Sequence, residues 1–95
     1  MPGYNRAELS IELTVVPSPE AESPPQAQIG AAKQAAGDSG LAHEAGPETT
    51  VLAGGRSEAL EAMLEVIEAS IDAGAHAVQV RVEVEREASR FGEEG

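Results

Sequence analysis

The sequence predicts an α+β fold with the element order β-α-β-β-α-β, and three observations carry that expectation. Near the chain's end, Val78, Val80, Val82 and Val84 alternate with Gln79, Arg81, Glu83 and Glu85. That period of two marks a strand with one apolar face. Near its start, Ile11, Leu13 and Val15 alternate in the same way with Glu12, Thr14 and Val16. Between them, Leu60, Leu64, Ile67 and Ile71 recur at helical spacing, with Met63 widening the stripe.

The first strand covers about residues 8–16 and ends at Pro17, which has no amide to give to a ladder. Residues 18–25 form a Pro-, Ser- and Glu-rich loop, stiff and locally extended, read as a disordered excursion or a lid. A weak helix follows over about 26–36. Ile29, Ala32 and Ala36 share one face, Ala35 lies beside it, and Lys33 and Gln34 lie outside. The run Gly37, Asp38, Ser39, Gly40 stops it. Residues 41–44 read as a short edge strand, and Gly46-Pro47 as a turn. Residues 49–53 read as a third strand, ended by Gly54 and Gly55.

The second helix is the clearest element. Ser57 is a good N-cap residue, and Gly74 closes the helix. Leu60, Leu64, Ile67 and Ile71 are its expected core face, and Glu58, Glu61, Glu65, Glu68 and Asp72 its solvated face. The last strand covers about residues 77–85, and the polar tail, expected to fray, follows it, with Phe91 as a candidate for docking. The chain is thus read as a single domain with its core at about 8–86 and a tail at 87–95.

Composition narrows the function classes. Seventeen acidic against six basic residues give a net charge of −11. Nucleic acid and anionic membrane surfaces are poor partners for such a chain, because both need clustered Lys and Arg. The absence of cysteine removes disulfides, thiol nucleophiles and Cys-based metal sites. MPGYNRAELS carries no apolar signal core, and no run approaches the ~20 apolar residues of a membrane span. The cytoplasm is the expected location. Aromatics are only 2% of residues, so the core must be aliphatic and alanine-rich. A single helix layer on a single sheet is marginal at 95 residues, which predicts self-association as a dimer or tetramer that covers the sheet's other face.

The element order corresponds to the ferredoxin-like split βαβ arrangement, a four-stranded antiparallel sheet with both helices on one face. Strands one and three are then central neighbours, which would bring Thr14 close to Thr50. If the alternating apolar residues face the helices, Glu12, Thr14, Arg81 and Glu83 face the open side.

IELTVVP, GPETTVLAGG, EALEAMLEVIEASIDAGA and VQVRVEVEREASR together resemble the small thiamine-binding protein family, long catalogued as a domain of unknown function. The likeness covers roughly residues 8–90. Pro17, Gly46, Pro47, Thr50, Gly54, Gly74 and Arg86 match the family pattern, whereas Ala53 stands where the family usually has Glu. Glu48 and Thr49 replace a more usual Met-Gly pair. The resemblance implies a ferredoxin-like fold, homodimers or homotetramers, and binding of thiamine or its hydroxymethylpyrimidine moiety, without catalysis. A thiazolium cation suits an acidic protein, and an aminopyrimidine offers donors and acceptors to Thr, Glu and main-chain groups. The ligand contacts expected are Glu12, Thr14, Thr50 and Arg81, with His43 as a further candidate.

Catalytic patterns are thin. His43 and His76 stand alone, and neither a phosphate loop nor an HExxH pair is present. No metal and no cofactor are expected beyond the thiamine-like ligand. Three readings follow: a non-catalytic carrier or sensor, an oligomeric interaction module of the same fold that has lost its ligand, and a small enzyme acting on a related metabolite.

Overall fold

The structure, a computed structural model, describes residues 7–85. Its elements are β1 (Leu9–Val16), α1 (Pro25–Ser39), β2 (Ala42–Glu44), β3 (Thr49–Gly54), α2 (Arg56–Asp72) and β4 (Ala77–Val84). The four strands form one antiparallel sheet in the order β2-β3-β1-β4. This is the α+β, ferredoxin-like arrangement that the alternation and the helical stripe predict. Arg86 and Phe91, invoked from the sequence, lie outside the described residues.

β1 is central and its alternation translates directly into burial. Ile11, Leu13 and Val15 are at most 3% exposed and form the floor of the core with Leu9 and Leu52. The helices cover this floor with small residues, Ala32 and Ala36 from α1 and Ala59 and Ala62 from α2, joined by Val66. Small side chains let both helix axes lie close to the sheet and to each other. That is how a chain with almost no aromatics closes a core.

α1 runs further than its sequence suggests. Gly37 lies inside the helix, and Gly40 ends it at φ 77°. Gly40 N–H donates to the Gly37 carbonyl at 3.1 Å, so the left-handed turn falls at the last glycine of the run. Pro25 opens the helix, where the amide it lacks would have had no helical partner.

The third buried residue of α1 is Gln28, fully inaccessible. Its Nε2 donates to the carbonyls of Ser18 and Ser23, and its Oε1 accepts from the Ser18 amide, all at 2.8 Å. One side-chain amide therefore fastens both ends of the Pro-rich loop to the helix. The loop's Ala21 also packs at the end of α2, where a Cβ on Gly74 would come within 2.7 Å of the Ala21 Cβ.

α2 departs from the sequence reading in two ways. Its N-cap is Gly55, and Ser57 sits within the first turn. The Arg56 amide donates instead to Oε1 of Glu8 at 2.7 Å, so a carboxylate from the chain before β1 occupies the positive end of the helix. The core face also differs from expectation. Ala59, Ala62, Val66 and Ser70 are buried, while Leu60, Leu64 and Ile71 are 36%, 55% and 61% exposed. Met63 and Ile67 pack only at the margin. The two stripes are one residue, or about 100°, apart on the helix surface. The small stripe wins because it permits close approach to α1, and Ser70 costs little there since its hydroxyl donates to the Val66 carbonyl at 2.7 Å.

α2 ends in a Schellman motif. Ala75 N–H reaches the Ser70 carbonyl, Gly74 N–H reaches the Ile71 carbonyl, and Gly74 adopts φ 99°. Of the β4 valines only Val78 packs against the core. Val80, Val82 and Val84 sit opposite Leu13, Ile11 and Leu9 on the helix-side face, yet remain 40%, 44% and 58% exposed. They face the expected way, but the helix layer stops short of covering them.

Candidate functional site

The sheet face away from the helices is set by strand parity. Leu9, Ile11 and Leu13 point to the helices, so Ser10, Glu12 and Thr14 point the other way. The pairing then defines three cross-strand rows. His43, Val51, Glu12 and Arg81 form the middle row, Thr49, Thr14 and Gln79 a second, and Ala53, Ser10 and Glu83 a third. Adjacent strands are about 4.8 Å apart, which puts His43 roughly 10 Å from Glu12 along the row.

Two local contacts organise this face. The Thr14 and Thr49 hydroxyls are hydrogen-bonded at 3.0 Å. On β4, Arg81 Nη2 donates to Glu83 Oε2 at 2.8 Å, with the two side chains 71% and 54% exposed. Such a solvated pair is weak and exchanges partners readily. Two shallow depressions flank Glu12. One of about 290 Å³ is lined by Ser10, Glu12, Val51, Arg81 and Glu83. The other, about 170 Å³, is lined by Glu12, Thr14, Gln79, Val80 and Arg81. Glu12 and Arg81 border both.

The turn that presents Thr49 is held from the helix layer. Lys33 Nζ donates to the carbonyls of Gly46 at 2.9 Å and Thr49 at 2.6 Å. Gly46 and Thr49 also exchange two main-chain hydrogen bonds at 3.4 Å across the β2–β3 connection. Lys33, read from sequence as an outward residue, thus ties α1 to the edge of the open face.

The structure brings Glu12, Thr14 and Arg81 together as expected. His43 joins them only at the far end of their row, on the edge strand β2, and borders a separate cleft of about 230 Å³ with Lys33, Ala36, Ala42 and Thr50. Thr50 requires a correction. It pairs with Leu13, is 6% exposed and faces the helices, whereas Thr49 is the residue opposite Thr14. The expected register was off by one residue, and in a strand one residue exchanges the faces. Thr49, Ser10 and Gln79 are the members that sequence reasoning missed. A signal for the threonines was present: Leu52 must point to the core, and Thr50, two residues away, must point with it.

Chemically, this is an open, mixed face. A carboxylate at its centre accepts hydrogen bonds or faces a cation. A guanidinium donates, and a pair of hydroxyls does either. Among the described residues, no three His, Asp or Glu side chains converge as a metal site, and no helix is long and apolar enough to cross a membrane.

No protein-family model matches the chain. No curated protein matches it either. Among solved structures, the chain is similar to a domain of unknown function, DUF77, from Bacillus cereus, with a TM-score of 0.65 and 23% sequence identity. The similarity covers 85% of this chain and 77% of that one. At that identity the likeness establishes the shared fold.

Proposed function

We propose that this protein is a non-catalytic binding protein whose open sheet face takes thiamine or its hydroxymethylpyrimidine moiety, serving as a cytoplasmic carrier or sensor. The observation that supports it best is Glu12, central on a polar face, with the Thr14–Thr49 hydroxyl pair at 3.0 Å on one side and Arg81 on the neighbouring strand. An aminopyrimidine presents an amino donor and ring-nitrogen acceptors in one plane, which a carboxylate, hydroxyls and a guanidinium match. A thiazolium adds a permanent positive charge, favoured by the chain's net charge of −11. The resemblance of the sequence to small thiamine-binding proteins points to the same ligand.

Titration calorimetry with thiamine and with hydroxymethylpyrimidine tests this reading. Both are expected to bind. Glu12→Gln is expected to weaken thiamine about tenfold or more, since a hydrogen bond to a charged group is worth about 1.5–3 kcal/mol. If neither compound gives heat or a thermal shift at millimolar concentration, the carrier reading is lost. Binding that survives Glu12→Gln undiminished would place the site elsewhere.

The second reading, an oligomeric interaction module without a ligand, draws on a different observation. Leu60, Leu64, Ile71, Val80, Val82 and Val84 are all exposed by 36% or more. Ala53, on the open face beside Ser10, also offers no acid where the resembled family has one.

A further inference from the structure

Arg81 stands between two carboxylates on the open face. Glu12 is its register partner, directly opposite on β1. The Cα atoms of such a pair lie about 5 Å apart. Glu83 stands two residues along β4, about 7 Å away at the rise of a strand. Strand parity places all three side chains on the same side of the sheet. The guanidinium takes the acid on its own strand: Arg81 Nη2 donates to Glu83 Oε2 at 2.8 Å. Glu12, the nearer of the two along the backbone, is left exposed at the centre of the face.

That choice of partner decides what a ligand meets. Glu12 and Arg81 border both depressions, but Glu83 borders only the larger, of about 290 Å³. An arginine grips a phosphate through parallel N–H donors, and Glu83 already occupies one of those donors. Glu12 and Glu83 against Arg81 leave the face with an excess of one negative charge, to which Ser10, Thr14, Thr49 and Gln79 add none. A phosphate monoester would bring about 1.5 to 2 further negative charges to these acids at neutral pH. An organic cation meets the reverse, an open carboxylate at Glu12 with the neighbouring guanidinium already engaged. Were Glu83 uncharged, the acid left to Arg81 would be Glu12, and opposite charges facing across two strands attract.

We propose that Glu83 is the specificity-determining residue of this face: by holding Arg81 away from Glu12, it sets the site for an unphosphorylated organic cation over the phosphate ester of the same compound. This rests on the binding reading above and adds the charge class of the ligand to it. Glu83 is a positioning residue, because it acts through Arg81. Removing its charge has two effects that push the same way. Arg81 turns to Glu12 and competes with the cation, and the same guanidinium opens to an oxyanion. The exposure of the pair, 71% and 54%, suits this role. Such a pair contributes little to the fold. What it governs is a difference between two affinities, which a repulsive element sets as effectively as an attractive one.

Titration calorimetry of the full chain with thiamine and with thiamine monophosphate, at one low ionic strength, tests this. The wild type is expected to bind thiamine about tenfold or more tightly than the ester, because like charges brought together oppose binding. Glu83→Gln keeps the size and removes the charge. It is expected to weaken thiamine, strengthen the ester and so narrow their ratio about tenfold. Adding Arg81→Gln to Glu83→Gln removes the freed guanidinium and keeps an amide donor at position 81. The double variant is expected to bring thiamine back to within about threefold of wild type and to lose the ester again. Both positions are exposed, so circular dichroism and urea midpoints should match wild type throughout. A wild type that binds the ester as tightly as thiamine, or a ratio that Glu83→Gln leaves unchanged, would overturn the proposal while the binding reading stands. A double variant no better than Glu83→Gln would also overturn it, because Glu83 would then touch the ligand itself. Binding of neither compound by the wild type would remove the binding reading, and the specificity with it.

Discussion

Replacing Gln28 tests how the Pro-rich loop is held. The side chain is fully buried and makes three hydrogen bonds of 2.8 Å to the main chain of Ser18 and Ser23. Gln28→Leu keeps the size and removes all three. At about 1 kcal/mol net each the loss is about 3 kcal/mol, because the three loop groups lose their partner. Burying an apolar side chain in place of the amide returns about 1 kcal/mol. The expected net loss is therefore about 2 kcal/mol, or a fall in Tm of roughly 8–16 °C for a domain of this size. Urea denaturation and calorimetry read both numbers. Gln28→Glu is nearly isosteric and should cost more, since a carboxylate oxygen would then face two carbonyls where Nε2 now donates. Gln34→Leu, on the exposed side of the same helix, is the control and should stay within about 0.5 kcal/mol of wild type. If Gln28→Leu matches that control, or Gln28→Glu proves milder than Gln28→Leu, the loop is not fastened by this amide.

Other expectations follow from the same geometry. Gly74→Ala should cost about 2 kcal/mol or more, from a left-handed backbone and a Cβ within 2.7 Å of Ala21; Ala21→Gly should recover the contact part in a double-mutant cycle read by denaturant midpoints. Val66→Ala should destabilise by about 1–3 kcal/mol, whereas Leu64→Gln should leave the unfolding of the isolated monomer nearly unchanged, reversing the order that hydrophobic size alone suggests. Thr49→Val should weaken thiamine binding in calorimetry by removing a hydroxyl from the open face, and Thr50→Val should not, since Thr50 faces the helices. Glu8→Gln should lower stability by about 0.3–1 kcal/mol, with the difference shrinking at high salt, because it removes the charge at the N-terminus of α2.

The fold was legible because its two long strands announce themselves. β1 and β4 alternate without a break, and alternation is a property of consecutive residues that needs no knowledge of partners. The site was legible only in part because it depends on register. Glu12, Thr14 and Arg81 sit on strands whose parity is unambiguous. Thr49 and Thr50 sit in a short strand between a turn and two glycines, where Leu52 alone carries the parity. Gln28 was not legible at all. A glutamine on a weak helix reads as surface, and its burial follows from three loop groups supplied by Ser18 and Ser23, which no local pattern contains.

The misread face of α2 has the most physical content. Periodicity identifies which residues share a stripe, but not which stripe the rest of the chain needs. Two regular stripes run along this helix, one of Leu60, Leu64, Ile67 and Ile71, the other of Ala59, Ala62, Val66 and Ser70. The core is built from Ala32 and Ala36 of α1 against the β-branched and leucine floor of β1, and it admits only small residues from α2. The larger stripe is rotated about 100° away. Leu60, its first member, borders Val82 and Val84 in the α2–β4 cleft. The division leaves leucine, isoleucine and valine in water at about 25 cal/mol per Å², a cost set against the close approach of α2 to α1 and the sheet that the small stripe permits. Val66→Ala and Leu64→Gln therefore separate the two stripes: the first should destabilise the fold and the second should leave it intact.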